Sequence, residues 1–378
     1  MIRLEEEKNM TVPTTKIKVI GVGGAGGNTL NSMLEGQNFD SIEFIAANTD
    51  AQALNMSKAH HTVQLGVKST RGLGTGANPE LGKRAAEEDI EKIIELVSGT
   101  DIVFLTGGLG GGTGSGALPV IAQALQEKNI LTITLVSKPF VFEGRRRAKI
   151  AQEALEQLKK HTDTLLVIPN QKLLELSAEK KPTLIEAFNM VNNTIAQSVH
   201  SISDIITKPG QINVDFADVK SIMKHMGLAV MGTARARGPN RAIEATMQAI
   251  SSSILENMSI DGAQSILLSI TGNEKLGLEE VSAAASIIYE KAHEDANIIL
   301  GSVIDNTLED EIIITVVATG FGASIQQQKQ VEAVHMPAKP AFKEKCDEQS
   351  AIQKEATTLF DDIDIPAALR RVQSIQQN

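Results

Sequence analysis

Along the first 320 residues, apolar positions alternate between short buried runs and stretches spaced three and four apart. The runs at Ile17 to Ile20, Ile42 to Ala47, Ile102 to Leu105, Thr132 to Val136 and Thr164 to Ile168 read as strands. Helical patterns are expected from Asn28 through Leu34, over Leu81 to Val97, from Ala117 onward and from Arg145-Arg146-Arg147 onward. Continuous apolar strands separated by helices predict an α/β fold built on a parallel sheet. The longest helical pattern follows. Thr183 and Glu186 form a capping box, and Leu184, Phe188, Val191, Ile195, Val199, Ile202 and Ile206 recur until Lys208-Pro209-Gly210 stops the helix. Its twenty-odd residues span ~35 Å, enough to cross a domain.

Beyond that helix, Asp215 and Asp218 are spaced as an N-cap and an acidic third helical residue, opening a helix that continues through Met226. Strands then alternate with helices once more: Leu228 to Ala234, a helix over Ala242 to Asn257, Ser265 to Ile270, a helix over Leu278 to Asp295, and Ile312 to Val317. This second α/β region has no glycine loop between a strand and a helix, so it is expected to pack rather than to bind a ligand. From Phe321 the pattern collapses into Gln326-Gln327-Gln328, Pro337, Pro340 and dispersed charge, a composition that cannot bury a core. The expected layout is a disordered segment at 1–14, a first domain at 15–182, a central helix at 183–206, a second domain at 207–320, a flexible linker at 321–360 and a tail at 361–378.

Composition narrows the classes. A chain of 378 residues has room for two domains and a tail. With 36 basic against 46 acidic residues, net −10, neither nucleic acid nor an anionic membrane surface is expected as the main partner. The single Cys346 rules out an internal disulfide and a cysteine metal cluster, and fits a reducing cytoplasm. No apolar run approaches the ~20 residues of a membrane span, and Glu5-Glu6-Glu7 stand where an export signal would be apolar.

The chemistry lies in glycine. Gly107-Gly108-Leu109-Gly110-Gly111-Gly112-Thr113-Gly114-Ser115-Gly116 joins a buried strand to a helix, so its N–H groups and the helix dipole can converge on a phosphate. No lysine occurs in it, so the loop is not the common phosphate loop, and charge must be met by backbone dipoles, a metal ion or an arginine from elsewhere. Gly21, Gly23 and Gly26 satisfy G-x-G-x-x-G, which by itself points to a dinucleotide and an NAD-dependent oxidoreductase. A third glycine loop, Gly72-Leu73-Gly74-Thr75-Gly76-Ala77-Asn78-Pro79, leads into the helix that includes Leu81.

The string Gly-Gly-Gly-Thr-Gly-Ser-Gly at 110–116 resembles the tubulin and FtsZ superfamily of GTP-binding, polymer-forming proteins, and further matches appear in chain order. Asn48-Thr49-Asp50-Ala51-Gln52-Ala53-Leu54, Phe140 to Arg147, Ile168-Pro169-Asn170 and Asn213-Val214-Asp215-Phe216-Ala217-Asp218-Val219 are all similar to FtsZ motifs. The resemblance implies GTP or GDP held by Gly23, Gly24, Ala25, Gly26, Asn28, Asn48, Gly74, Thr75, Gly76, Gly110, Gly111, Gly112, Thr113, Gly114 and Pro139, with a magnesium ion alongside the phosphates. In the family the 72–76 loop closes over the γ-phosphate, the glutamate and arginine matching Glu143 and Arg147 lie at the ribose, and those matching Asn170, Phe188 and Asn192 meet guanine. Asn213, Asp215 and Asp218 match the loop that enters the pocket of the next subunit and positions the attacking water. The resemblance thus implies a head-to-tail homopolymer, a GTPase completed between subunits, and a cytokinetic ring at midcell. Asp364 to Arg371 resembles a tail peptide that docks on membrane-tethering division proteins, with Ala368 where the family has Phe; Gly108 stands where the family often has Ala.

Overall fold

The computed structural model describes residues 15–36, 39, 41–176, 181–208, 210–251 and 263–321. The segments at 1–14 and 322–378, including most of the expected linker and the whole tail, lie outside the described residues. Among the described residues ten strands form one sheet in the order β3-β2-β1-β4-β5-β6-β7-β10-β8-β9. They are β1 (Ile17–Val22), β2 (Ile42–Asn48), β3 (His61–Gln64), β4 (Ile102–Gly108), β5 (Leu131–Lys138), β6 (Thr164–Pro169), β7 (Gly227–Arg237), β8 (Ser265–Gly272), β9 (Asn297–Ile304) and β10 (Glu311–Thr319). From β3 to β7 every pairing is parallel, whereas β10 runs antiparallel to both β7 and β8. The strands of the two expected regions therefore join in one sheet, through a β6–β7 contact of three residue pairs, Thr164 with Gly227 to Leu166 with Ala229.

Ten helices flank the sheet among the described residues: α1 (Gly23–Gly36), α2 (Ala51–Asn55), α3 (Pro79–Leu96), α4 (Gly112–Glu127), α5 (Arg145–His161), α6 (Asn170–Leu176), α7 (Leu184–Thr207), α8 (Phe216–Met223), α9 (Arg241–Ile250) and α10 (Leu278–Lys291). On one face a single apolar core runs the length of the sheet, from Ile17 and Phe104 under α1 to Val303 and Val317 under α7 and α8. The opposite face carries two cores. One is built on α3, α4 and α5, and the other on α9 and α10. The α7 stripe Val191, Ile195, Val199, Ile202 and Ile205 is buried in the continuous core, each side chain worth about 1.5–3 kcal/mol. The Thr183 capping box holds as expected, with the Thr183 amide donating to Glu186 Oε2 at 2.7 Å.

Several boundaries differ from the sequence expectation. α1 begins at Gly23 rather than Asn28 and α4 at Gly112 rather than Ala117, so the glycine strings form first helical turns. Glycine is a poor helix former, but α3 and α4 touch through it: a Cβ on Gly116 would strike the Pro79 carbonyl oxygen, and one on Gly82 that of Gly112. α8 stops at Met223, because His225 (φ 60°) and Gly227 (φ 68°) turn the chain into β7. α10 stops at Lys291, where Ala292 turns extended, short of Asp295. α9 runs to Ile250 with Ser251 as its C-cap, and residues 252–257 of its expected span lie outside the described residues. Strands β3 and β9 and helices α2 and α6 are additions; the run Ile298, Ile299, Leu300 carries the signal for β9.

Arg241 fastens α9 to α10. Its side chain is 7% exposed and donates to both Glu280 carboxylate oxygens, at 2.6 and 3.0 Å, and to Asp310 at 3.3 Å. These bonds, offset in part by burial, hold the Glu280 carboxyl below the ordinary carboxylate range. A carboxyl whose folded pKa is depressed stabilises the fold above its unfolded pKa, and that contribution is lost as pH falls through the folded value. Removing one partner of a wholly buried pair costs roughly 3–5 kcal/mol. Since Glu280 keeps 22% of its side chain exposed, Arg241→Met is expected to cost about 2 kcal/mol at pH 7 and less near pH 3, as read by urea unfolding at both pH values.

Candidate functional site

The carboxyl ends of four parallel strands open on one cleft of about 340 Å³. Val22 ends β1, Gly108 ends β4, Ser137 stands near the end of β5, and Asn170 follows β6; all four line it. Crevices at the carboxyl ends of such sheets are where open α/β folds hold ligands. The remaining walls come from the start of α1, the start of α4, Thr75, the segment from Pro139 to Arg147, and α7.

One end of the cleft is made of main chain. The first turns of α1 and α4 point into it, and the N-cap of α4 is Gly111, which has no side chain to satisfy the turn. Free first-turn amides and the positive helix end make such a place an anion site. Close approach demands glycine here: a Cβ on Gly114 would collide with the Gly108 carbonyl oxygen, and one on Gly112 with Thr75 Oγ1. Beside Gly24 and Gly111 there is open space, where a bound group can reach the backbone. Three hydroxyls tie the loops together, with Thr113 Oγ1 2.7 Å from Thr49 Oγ1 and 3.3 Å from Thr75 Oγ1. Ser115 Oγ accepts from the Gly110 amide at 2.8 Å.

The other end is made of side chains. Phe188 is 40% exposed and meets Phe140 edge to face at 5.2 Å, leaving part of its ring to the cleft. Asn192, one turn along α7, accepts from Thr29 Oγ1 at 3.1 Å. Asn170 is 4% exposed, and its Oδ1 is a buried acceptor with no partner among the described residues. A buried acceptor left unpaired costs about 1–3 kcal/mol, which a ligand's N–H would remove. A flat face beside two amides fits a heteroaromatic base. Between the two ends Glu143 accepts from the Phe140 amide at 2.9 Å and from Arg147 Nη1 at 2.5 Å. Arg147 lines the cleft, while Arg145 and Arg146 are exposed outside it.

Of the expected ligand residues, Gly23, Gly24, Ala25, Asn28, Thr75, Gly111, Gly112, Thr113, Gly114, Pro139, Glu143, Arg147, Asn170, Phe188 and Asn192 line this one cleft. Gly26, Asn48, Gly74, Gly76 and Gly110 do not. Gly26 is packed on Gly21 and the Thr106 carbonyl, and Asn48 is buried with its Oδ1 on the Asp50 amide. Gly74 and Gly76 supply left-handed turns in the loop that presents Thr75, and Gly110, also left-handed, lies against Arg147 and Pro139. Thr29, Leu109, Ser137 and Val191 line the cleft without having been singled out by sequence; only their places beside a glycine string, a strand end or Asn192 hint at it.

Asn213, Asp215 and Asp218 lie elsewhere. Asp215 caps α8 by accepting from the Asp218 amide at 2.8 Å, and Asn213 Oδ1 accepts from Gly210 at 2.7 Å. Val214 and Ile205 pack around Gly301. From Asn192 in the cleft to Ile205 is thirteen residues of helix, ~20 Å at 1.5 Å each. α8 in turn ends at the amino end of β6, where Thr164 Oγ1 donates to the Met223 carbonyl. These acidic groups therefore sit at the far end of the sheet from the cleft.

The sequence profile of the Tubulin/FtsZ family GTPase domain matches residues 16–178, and that of the FtsZ family C-terminal domain matches residues 227–322. A structure titled FtsZ dimer, empty, from M. jannaschii superposes with a TM-score of 0.77 at 42% sequence identity, covering 82% of this chain and 90% of that one. A point mutant of FtsZ from the same organism gives 0.77 at 42%, covering 81% and 91%. CetZ2 from Haloferax volcanii shares the fold at 22% identity, with a TM-score of 0.70 over 85% and 98%. Agreement this extensive, with both matched regions in order and the glycine cleft inside the first, leaves the dinucleotide reading of Gly21-x-Gly23-x-x-Gly26 without support: the chain belongs to the tubulin/FtsZ family.

Proposed function

We propose that the protein binds and hydrolyses GTP, polymerises head to tail, and builds the bacterial cytokinetic ring. The single observation that carries this is the separation of the cleft from Asp215 and Asp218 by most of the length of α7. Within one molecule they cannot meet; stacked end on end, the acidic loop of one subunit reaches the cleft of the next. Repetition of such a heterologous contact gives a filament rather than a closed ring of few subunits. The M. jannaschii relative titled as a dimer is consistent with self-association.

Phosphoryl transfer depends on positioning and charge stabilisation more than on covalent chemistry. In this reading the first-turn amides of α1 and α4 hold the phosphates, Phe188, Asn192 and Asn170 hold guanine, and Glu143 with Arg147 flanks the ribose. Asp215 and Asp218 of the adjoining subunit orient the attacking water, with Asn213 shaping their loop. Among the described residues no three His, Cys, Asp or Glu side chains group as a metal site. The cleft-lining hydroxyls of Thr75 and Thr113 instead fit a Mg²⁺ ion that would draw most of its ligands from phosphate oxygens and water. Such an ion would neutralise charge developing on the phosphates.

The localisation that follows is cytoplasmic, concentrated at the division site, with residues 364–371 contacting membrane-tethering division proteins. No described helix is long and apolar enough to cross a membrane, and neither direct membrane insertion nor nucleic acid enters the proposal. Pelleting with GTP against GDP, while released phosphate is followed, tests the reading. Turnover per molecule is expected to rise at least ~10-fold between dilute and assembling concentrations; equal turnover at all concentrations overturns the shared site.

A further inference from the structure

The loop that carries Thr75 into the cleft is gripped from behind by α3. Asp89 Oδ2 accepts from the Gly66 amide at 2.7 Å and from the Val67 amide at 3.4 Å. Glu88 accepts from Lys68 at 2.8 Å and from Ser69 at 3.2 Å, one oxygen each. Four consecutive main-chain donors therefore end on two adjacent carboxylates. Neighbouring positions on a regular helix diverge by about 100° and do not face one loop. α3 departs from helical geometry at this point, with Asp89 at φ −121° and ψ 15°. Asp89 is 7% exposed and holds Lys92 at 2.7 Å. Gly66 lies so close to α3 that a Cβ there would meet Ala85 Cβ and Ser69 Oγ, both at 2.5 Å.

From this anchor the chain runs to the cleft in a few bonded steps. Thr70 Oγ1 donates to the Gly66 carbonyl at 2.9 Å, the Gly74 amide donates to Thr49 at 3.1 Å, and Thr75 Oγ1 reaches Thr113. The tip between them exposes Leu73 (85%), and Arg71, Gly72, Gly74, Gly76 and Ala77 are all left-handed. It is held from two sides, by residues 49–51, where the Ala51 amide donates to the Gly72 carbonyl at 3.1 Å and Asp50 bridges Leu73, and by the anchor at 66–69.

We propose that Glu88 and Asp89 are positioning residues for the nucleotide. By fixing the amides of residues 66–69 they set where the loop delivers Thr75, although neither carboxylate lines the cleft. The inference rests on the GTP reading above. Both carboxyls lie below their ordinary range. For Glu88 the Lys68 amide is the main cause, and for Asp89 burial pushes the carboxyl up but Lys92 and the Gly66 and Val67 amides outweigh it. The grip is therefore charged throughout the neutral range.

The test uses the full chain with Asp89→Asn, Glu88→Gln, Thr75→Ala and the Asp89→Asn/Thr75→Ala double variant. Asp89→Asn is expected to raise KM for GTP ~10-fold with kcat at saturating GTP within about twofold, and Thr75→Ala to raise KM at least as much. Because both act through one contact, the double variant is expected to add less than ~2-fold to Thr75→Ala alone. Amide hydrogen exchange at residues 66–75 of nucleotide-free protein is expected to quicken at least ~10-fold in Asp89→Asn. Effects on KM that multiply in the double variant, or exchange that does not change, overturn the proposal. Glu88→Gln, at an exposed position, gives a smaller KM rise of ~3-fold and decides the matter if Asp89→Asn does not fold; an unchanged KM there counts against the grip. A wild-type chain that hydrolyses no GTP overturns the proposed function instead, and the exchange measurement then decides the grip alone.

Discussion

Asp218→Ala is expected to leave GTP affinity within about twofold while turnover falls at least ~100-fold. The side chain is exposed at the third position of α8, ~20 Å of helix away from the cleft, so removing it cannot disturb a bound nucleotide in the same molecule. Its amide, not its carboxylate, is what Asp215 uses as a cap. The fold should therefore not register the change. Equilibrium binding of a fluorescent GTP analogue and phosphate release at assembling concentration separate the two effects. Normal hydrolysis by the variant would show that water is positioned by something other than this loop.

Gly114→Ala is expected to have the opposite profile, losing nucleotide affinity by at least ~100-fold with assembly and turnover lost as a consequence. Gly114 lies in the first turn of α4, where alanine by itself would favour helix by about 1 kcal/mol. That gain is overwhelmed by contact, because the new methyl falls on the Gly108 carbonyl oxygen, and every atom it meets is main chain that cannot rotate away. Either the end of β4 or the start of α4 must move, and both line the cleft. GTP titration monitored by calorimetry reads the loss, and a thermal melt within a few degrees of wild type confirms that the site rather than the fold has failed.

The strands of the first region were legible because they are buried on both faces and read as unbroken apolar runs. The glycine strings were legible as ligand loops but not as helix starts. Propensity argues against helix at Gly23, Gly24, Gly112 and Gly114, and the contacts that override it at α4, Gly116 on Pro79 and Gly82 on Gly112, lie between residues 37 and 30 apart in the chain. The gathering of Asn170, Phe188 and Asn192 around one cleft came from family resemblance; periodicity places Phe188 and Asn192 on one helix face and says nothing of Asn170. Composition could not show that Asp215 and Glu143 stand at opposite ends of the molecule. Nor could local pattern reveal that β7 pairs with β6, since α6, α7 and α8 intervene between them.

The seam between those two strands has a mechanical meaning. Only three residue pairs cross it, yet on the α7 side the apolar layer continues across without a break, whereas on the other side Leu228 packs toward one layer and Val230 toward another. A plate bonded along one surface and split along the other is stiff against shear and compliant in one sense of bending. Flexure that opens the split surface exposes little apolar area, while flexure that parts the continuous one exposes a great deal. The fold thus resists deformation unequally, and its softest direction is written into which side of the sheet the helices leave divided.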